Sequence, residues 1–246
     1  LGTHYPGGYA QYIALPGEVL QRGFVERIPQ NMSYEHAAFA ETCSAVLACQ
    51  ERNQVSMGET VVIIGDGPVG CLHCEVARSR GASRIIMVGR DKLEMAAAFG
   101  PDLLLDGARP AKELVHEVRA CTDGIGADSV IICGGGDEVF SQAIDMVRYG
   151  IGTVSNVNYF GGTGNLPFPK FSGGRGMAGK TIHTELAKGG RVRIERMMQM
   201  VRCGRISPEK LVTHCFEGLD RIEDALYLMR DKPQDLVKVM VRIDWK

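Results

Sequence analysis

No run of about 18 apolar residues occurs anywhere in the chain, and without one a membrane-spanning helix is excluded. No excess of either charge occurs: 28 Lys and Arg stand against 29 Asp and Glu, a formal net charge of -1. That balance argues against a nucleic-acid protein driven by bulk charge. The eight cysteines, at 43, 49, 71, 74, 121, 133, 203 and 215, have no framework-like spacing and lie mostly in apolar or helical runs. They read as the thiols of a reduced, cytoplasmic protein. No signal peptide opens the sequence, and neither does Met. The first residue is Leu1, so the 246 residues are expected to be a piece of a longer product. Internal repeats and low-complexity segments are also lacking. What the chain does have is glycine, 31 residues of it, which predicts many tight turns or close backbone approaches.

From residue 60 to 157 apolar runs alternate regularly with helical segments. Thr60–Gly65, Arg84–Gly89, Leu103–Leu105, Asp128–Cys133 and Gly152–Val157 read as strands. Pro68–Ser79, Lys92–Phe99, Ala111–Cys121 and Glu138–Arg148 read as the helices between them. Strands apolar on both faces, alternating with helices, predict an α/β fold: a doubly wound parallel sheet with helices on each side. Residues 35–53 look helical, and Gly7–Ile13 gives a glycine turn followed by strand-like alternation. Residues 159–180 break the pattern as a long Gly-, Pro- and Lys/Arg-containing loop. Thr181–Leu186 is a candidate sixth strand. An amphipathic helix over 191–203, a helix near 219–230 and a terminal strand Val237–Ile243 complete the chain.

The first strand runs into Gly65-Asp66-Gly67-Pro68-Val69-Gly70, a G-x-G-x-x-G sequence at a strand-to-helix junction. Gly65 makes the tight turn, Gly67 lets backbone approach a pyrophosphate, and Gly70 permits close helix–strand packing. Pro68 and Val69 start the helix whose N–H groups face the phosphate. An acid some 20 residues further on usually bonds the adenosine ribose of NAD. Here Gly89 takes that place and is followed by Arg90 and Asp91. Loss of the carboxylate together with a neighbouring guanidinium favours NADP. A slip of one residue would put Asp91 on the ribose and restore NAD, and this alternative stays open.

These residues and several longer motifs give the chain a family resemblance. It resembles the C-terminal two-thirds of a zinc-dependent medium-chain alcohol dehydrogenase through Gly7-Gly8-Tyr9-Ala10-Gln11-Tyr12, the glycine loop and Gly124-Ile125-Gly126-Ala127-Asp128. It is most similar to the microbial NADP-dependent secondary alcohol dehydrogenases. The carrying segments are Ser155–Gly161, Gly176-Met177-Ala178, Lys180-Thr181-Ile182, Gly189-Gly190-Arg191, Lys210–His214, Asp231-Lys232-Pro233 and Asp235-Leu236.

The resemblance implies a Rossmann dinucleotide domain over 45–186. It would be inserted in a partial, mostly-β GroES-like catalytic domain formed by 1–44 and 187–246. It implies hydride transfer between NADP and a small secondary alcohol or ketone, with zinc polarising the oxygen, in a homo-oligomer, dimer or tetramer. Asn158 and Tyr159 would meet the nicotinamide, Lys238 the pyrophosphate, and Glu41 would be an acidic zinc ligand. Glu41-Thr42-Cys43-Ser44-Ala45 is nearer the sorbitol-dehydrogenase-like branch, which leaves an NAD-dependent polyol dehydrogenase as an alternative. The helix after Gly89 is about two residues shorter than the family's usual one. The family's other zinc ligands belong to a segment expected before this one. A catalytic zinc takes three protein ligands, so this piece by itself is expected to bind dinucleotide with little or no turnover. A non-catalytic NADP(H)-binding truncation is the alternative of a different class.

Other tempting residues have plainer readings. Cys71-Leu72-His73-Cys74 has metal-like spacing but fits helix–sheet packing. Cys43 fits the core, and His36 and His214 fit structural or surface positions. Arg191, Arg193 and Arg196 fit a solvated or contact face. Asp137 and Glu138 fit capping and dipole stabilisation of the helix they start.

Overall fold

In a computed structural model the protein is described over residues 5–21, 25–158, 179–184 and 188–243. Helices α1 (Gly17–Gln21), α2 (Tyr34–Ala37) and α3 (Ala40–Arg52) precede the sheet. Then come β1 (Thr60–Ile64), α4 (Pro68–Ser79), β2 (Arg84–Gly89), α5 (Leu93–Ala97), β3 (Leu103–Asp106), α6 (Ala111–Ala120), β4 (Ser129–Ile132), α7 (Glu138–Met146), β5 (Thr153–Asn156) and β6 (Thr181–His183). Helix α8 (Arg191–Arg202), β7 (Val212–Glu217), α9 (Ile222–Asp231) and β8 (Lys238–Arg242) follow, with short 3-10 turns before β7 and α9. Among the described residues no helix is long and apolar enough to cross a membrane.

The six strands form one parallel sheet in the order β3-β2-β1-β4-β5-β6. The chain leaves β1 toward one edge and returns to β4 on the other side, which places a crevice at the carboxyl ends of β1 and β4. Two-residue alternation sends neighbouring side chains to opposite faces. Val61, Ile63, Ile85, Met87 and Ile131 meet α3, α4 and α8 through Cys43, Leu47, Leu72, Val76 and Met197. Val62, Ile64, Ile86, Val130 and Ile132 meet α6 and α7 through Leu114, Val118, Phe140 and Ile144. Both faces are covered, as the uninterrupted apolar strands require.

One polar group crosses the first of these layers. Buried Asn53 donates from Nδ2 to Ser129 Oγ at 2.8 Å and accepts from Ser155 Oγ at 2.6 Å, so the buried serine hydroxyls of β4 and β5 are matched to one amide.

The flanking parts differ from expectation in detail. Gly7–Ile13 forms no strand: Tyr9 and Tyr12 are 67% and 79% exposed, and no ladder is offered beside them among the described residues. The sixth strand is Thr181–His183, and residues 185 and 186 of its expected range lie outside the described residues. The helical stretch at 35–53 is broken after Ala37, where a second helix begins at Ala40. β7 and β8 pair as a two-stranded parallel sheet. Helix α8 is held against α3 by Arg193–Glu51 (2.6 Å) and Arg196–Glu51 (3.2 Å), and Glu75 of α4 accepts from Ser207 N (2.8 Å).

Candidate active site: the glycine loop and its cleft

The loop after β1 is a hard-packed turn with one open face. Gly65 has φ +120° and donates its N–H to Val88 O (2.8 Å). A Cβ there would lie 2.8 Å from Gly134 N, and one on Gly70 would lie 1.9 Å from Gly65 O. At Gly67 a Cβ would meet nothing within 4 Å. Gly67 is the N-cap of α4, with Pro68 at its first turn, no side-chain cap bond and no acidic residue in that turn. Val69, 36% exposed, follows. The helix end therefore presents N–H groups and positive dipole toward the open side of Gly67, which suits an anion.

Beyond this end lies a cleft of about 760 Å³, with Pro68, Arg90, Asp91 and Lys92 on the sheet side and Lys232 and Lys238 on the C-terminal side. Arg90, Asp91 and Lys238, far apart in sequence, are thus brought together with the glycine loop. Four basic residues and one acidic residue, Asp91, line the cleft. Tyr9, Lys92 and Lys232 are among the lining residues not expected from the sequence to belong to the site. Lys92 is recognisable only in three dimensions, because its ammonium bonds to the carbonyls of Pro233 and Gln234 across the cleft.

A fourth residue missed by the sequence reading is Asp66. It is 7% exposed, and its Oδ2 accepts from Arg90 N (2.8 Å) and Lys92 N (2.6 Å). The available signal was an acid inside the glycine loop coinciding with a glycine where an acid is usual.

At the carboxyl edge of β5, Asn158 donates from Nδ2 to Gly135 O (2.9 Å), tying the chain after β5 to the glycine-rich loop after β4. Tyr159 lies outside the described residues. Glu41 sits exposed in the first turn of α3, beside a separate hollow shared with Glu26, Tyr34 and Met198. Among the described residues no three His, Cys, Asp or Glu side chains gather as a metal site. The described residues therefore do not assemble a zinc centre around Glu41.

The remaining candidates fall into structural roles. Cys71 and Cys74 are buried, and burial pushes their thiols up to about 12 and about 11. Cys43 is raised to about 12 by the same cause. Thiols held protonated are poor metal or redox groups. His36 pairs with Glu209 (3.3 Å) and His214 with Asp235 (3.7 Å). Arg191 faces Glu26 and Glu195. Asp137 makes no cap bond to α7: its backbone is helical (φ -61°, ψ -26°), whereas a capping side chain needs an extended residue to reach the free N–H groups. Glu138 does lie in the first turn, where the dipole favours it.

His73, between the two cysteines, is fully buried. Its Nδ1 faces Gln50 Nε2 (3.2 Å), which also donates to His73 O (2.8 Å). Burial lowers its pKa from 6.5 to about 3. The unfolded chain therefore takes up this proton first as pH falls below 6.5, and folding stability is lost progressively down to about 3. The slope is at most about 1.4 kcal/mol per pH unit. Urea midpoints measured at about pH 7 and pH 5 should show a fall that is smaller in His73→Phe. An unchanged fall would remove His73 as its source.

A six-stranded parallel sheet with a glycine loop and an uncapped helix at its first βα turn defines a Rossmann-type α/β protein. More closely, the chain belongs to the zinc-binding dehydrogenase family, whose model matches residues 68–193, just over half of the sequence. It is 41% identical over 217 residues to the NADP-dependent isopropanol dehydrogenase of Clostridium beijerinckii, covering 87% of this chain and 61% of that protein. It is 42% identical over 193 residues to the protein of the same name from Thermoanaerobacter brockii, covering 78% and 54%. Among solved structures, the alcohol dehydrogenase TADH from Thermus sp. ATN1 superposes with a TM-score of 0.77 at 32% identity, covering 88% of this chain and 62% of that one. The chain thus spans between 54% and 61% of the length of these two isopropanol dehydrogenases.

Proposed function

We propose that this chain is the cofactor-binding part of an NADP-dependent alcohol dehydrogenase acting on a small secondary alcohol or ketone. The observation that carries this reading is the cleft beyond Gly89, which Arg90, Lys92, Lys232 and Lys238 line together with Pro68 at the start of α4. A dianionic 2′-phosphate fits that charge, and a bare ribose does not need it. NADP fits the residues present. Gly67, Val69 and Gly70 would hold the pyrophosphate at the start of α4, with Gly65 and Pro68 shaping the turn. Gly89 would leave room beside the ribose, while Arg90 would meet the 2′-phosphate and Lys238 the pyrophosphate. Asn158 and Tyr159 would lie at the nicotinamide end. The cofactor, when bound, supplies the hydride acceptor. In this reading Glu41 is the metal-facing carboxylate, and the chain divides into 1–44, 45–186 and 187–246, with α3 running on through the first boundary. The protein acts in the cytoplasm as a homo-oligomer.

Fluorescence titration with NADPH and NADH, with zinc analysis on the same sample, tests the reading. Tighter binding of NADPH is expected. Tighter binding of NADH would place Asp91, which lines the same cleft, on the ribose and favour an NAD-dependent polyol dehydrogenase. Binding of neither would remove the dinucleotide reading. NADPH binding with no turnover of any secondary alcohol would support a non-catalytic binding module.

A further inference from the structure

We propose that Asp66 is the positioning residue that sets NADP selectivity, acting through Arg90 and Lys92; this deepens the NADP reading above and rests on it. Asp66 occupies the side-chain space of another residue. An ideal Cβ on Gly89 would lie 2.7 Å from Asp66 Cβ and 2.7 Å from its Oδ2. No side chain at 89 coexists with Asp66 as placed. A carboxylate is therefore present next to the end of β2, but it is delivered from the glycine loop instead of from the strand.

Its task differs from that of a ribose-binding acid. Oδ2 already accepts two backbone N–H bonds, from Arg90 and Lys92. Asp66 is also nearly buried and is not among the described residues lining the cleft, whereas Arg90, Asp91 and Lys92 are. The carboxylate thus lies behind the turn and holds it, while the turn's side chains face the nucleotide space. Charge-assisted bonds of this kind are short and directional, and both are at most 2.8 Å here. The turn is short, only Arg90-Asp91-Lys92 between β2 and α5, so fixing two of its three N–H groups fixes the turn. The consequence reaches the opposite wall, because Lys92 also bonds to the carbonyls of Pro233 and Gln234. Lys232 and Lys238 lie on that wall. One buried carboxylate thereby sets the spacing between Arg90 and the C-terminal cations, which is the spacing a 2′-phosphate must match.

The test is the ratio of NADH to NADPH dissociation constants in the full chain and in Asp66→Ala, Asp66→Asn and Gly89→Ala. Asp66→Ala frees both N–H groups and should lower the ratio roughly tenfold, with NADH affinity within about twofold of the parent. Asp66→Asn keeps an acceptor oxygen and should recover most of the ratio, which covers the case in which the alanine variant fails to fold. Gly89→Ala should expel the Asp66 side chain and lower the ratio as Asp66→Ala does. Parallel loss of both nucleotides in these variants would show a merely structural residue and overturn the proposal. An unchanged ratio would overturn it too, and a raised one would make Asp66 the ribose reader. The parent chain separates the two levels. If it fails to prefer NADPH, the NADP reading falls and this proposal with it. If it prefers NADPH and the variants keep that preference, only this proposal falls.

Discussion

Gly70→Ala is expected to destabilise the protein by about 3 kcal/mol or more, read as a fall in the urea midpoint. The added methyl would sit 1.9 Å from Gly65 O and 3.0 Å from its carbonyl carbon. Both atoms are backbone, fixed by the Gly65 N–H bond to Val88, so no side chain can swing away. Relief requires α4 to lift from β1, and α4 carries Leu72, Cys74, Val76 and Ala77 into the core. Against a typical total stability of about 5–15 kcal/mol, that is a large share. A midpoint within about 0.5 kcal/mol of the parent would mean that the helix is not seated as described.

Gly67→Ala should do the opposite. The residue has φ -77° and ψ 179°, which alanine adopts readily, and its Cβ would meet only open space. Stability should stay within about 0.5 kcal/mol of the parent. Nucleotide affinity should fall by roughly tenfold or more, because the methyl takes the room in which a pyrophosphate would approach the backbone. Full affinity in this variant would show that the loop is a turn and not a cradle. Two glycines three residues apart thus separate folding from binding, one failing by urea and the other by titration.

The alternation of strand and helix was readable because each strand from β1 to β4 is covered on both faces and so is apolar at nearly every position. That code is local and needs no partner to be recognised. The glycine loop was readable for a similar reason, since its spacing follows from one turn of backbone. Segments that depend on distant neighbours were not. Gly7–Ile13 has the alternation of a strand, but alternation does not supply a ladder. Asp137 has the right residue type for a cap, but its backbone angles direct the side chain elsewhere. Asp66 and Gly89 are 23 positions apart, and their relation is steric: a large residue at one requires none at the other. Lys92 likewise gains its meaning only from Pro233 and Gln234, more than a hundred residues later. The zinc carboxylate expected at Glu41 depends on companions that no local pattern around α3 can supply.

The eight unbridged cysteines form a graded clock. Cys203 and Cys215 are exposed, Cys121 and Cys133 lie at intermediate depth, and Cys43, Cys49, Cys71 and Cys74 are buried. Thiol reagents attack the thiolate, so a buried group whose pKa is pushed up to about 12 modifies only when its surroundings open. The outer pair should react at once, and the inner four at the pace of opening. Cys71 is the fourth residue of α4, directly after the glycine loop, with its Sγ 3.7 Å from Asp66 O. Anything that settles in the cradle and favours the closed state will slow the inner count while leaving the outer pair untouched. Occupancy of the cleft is thereby written into the protein's own sulfur chemistry, legible with no chromophore and no catalytic turnover.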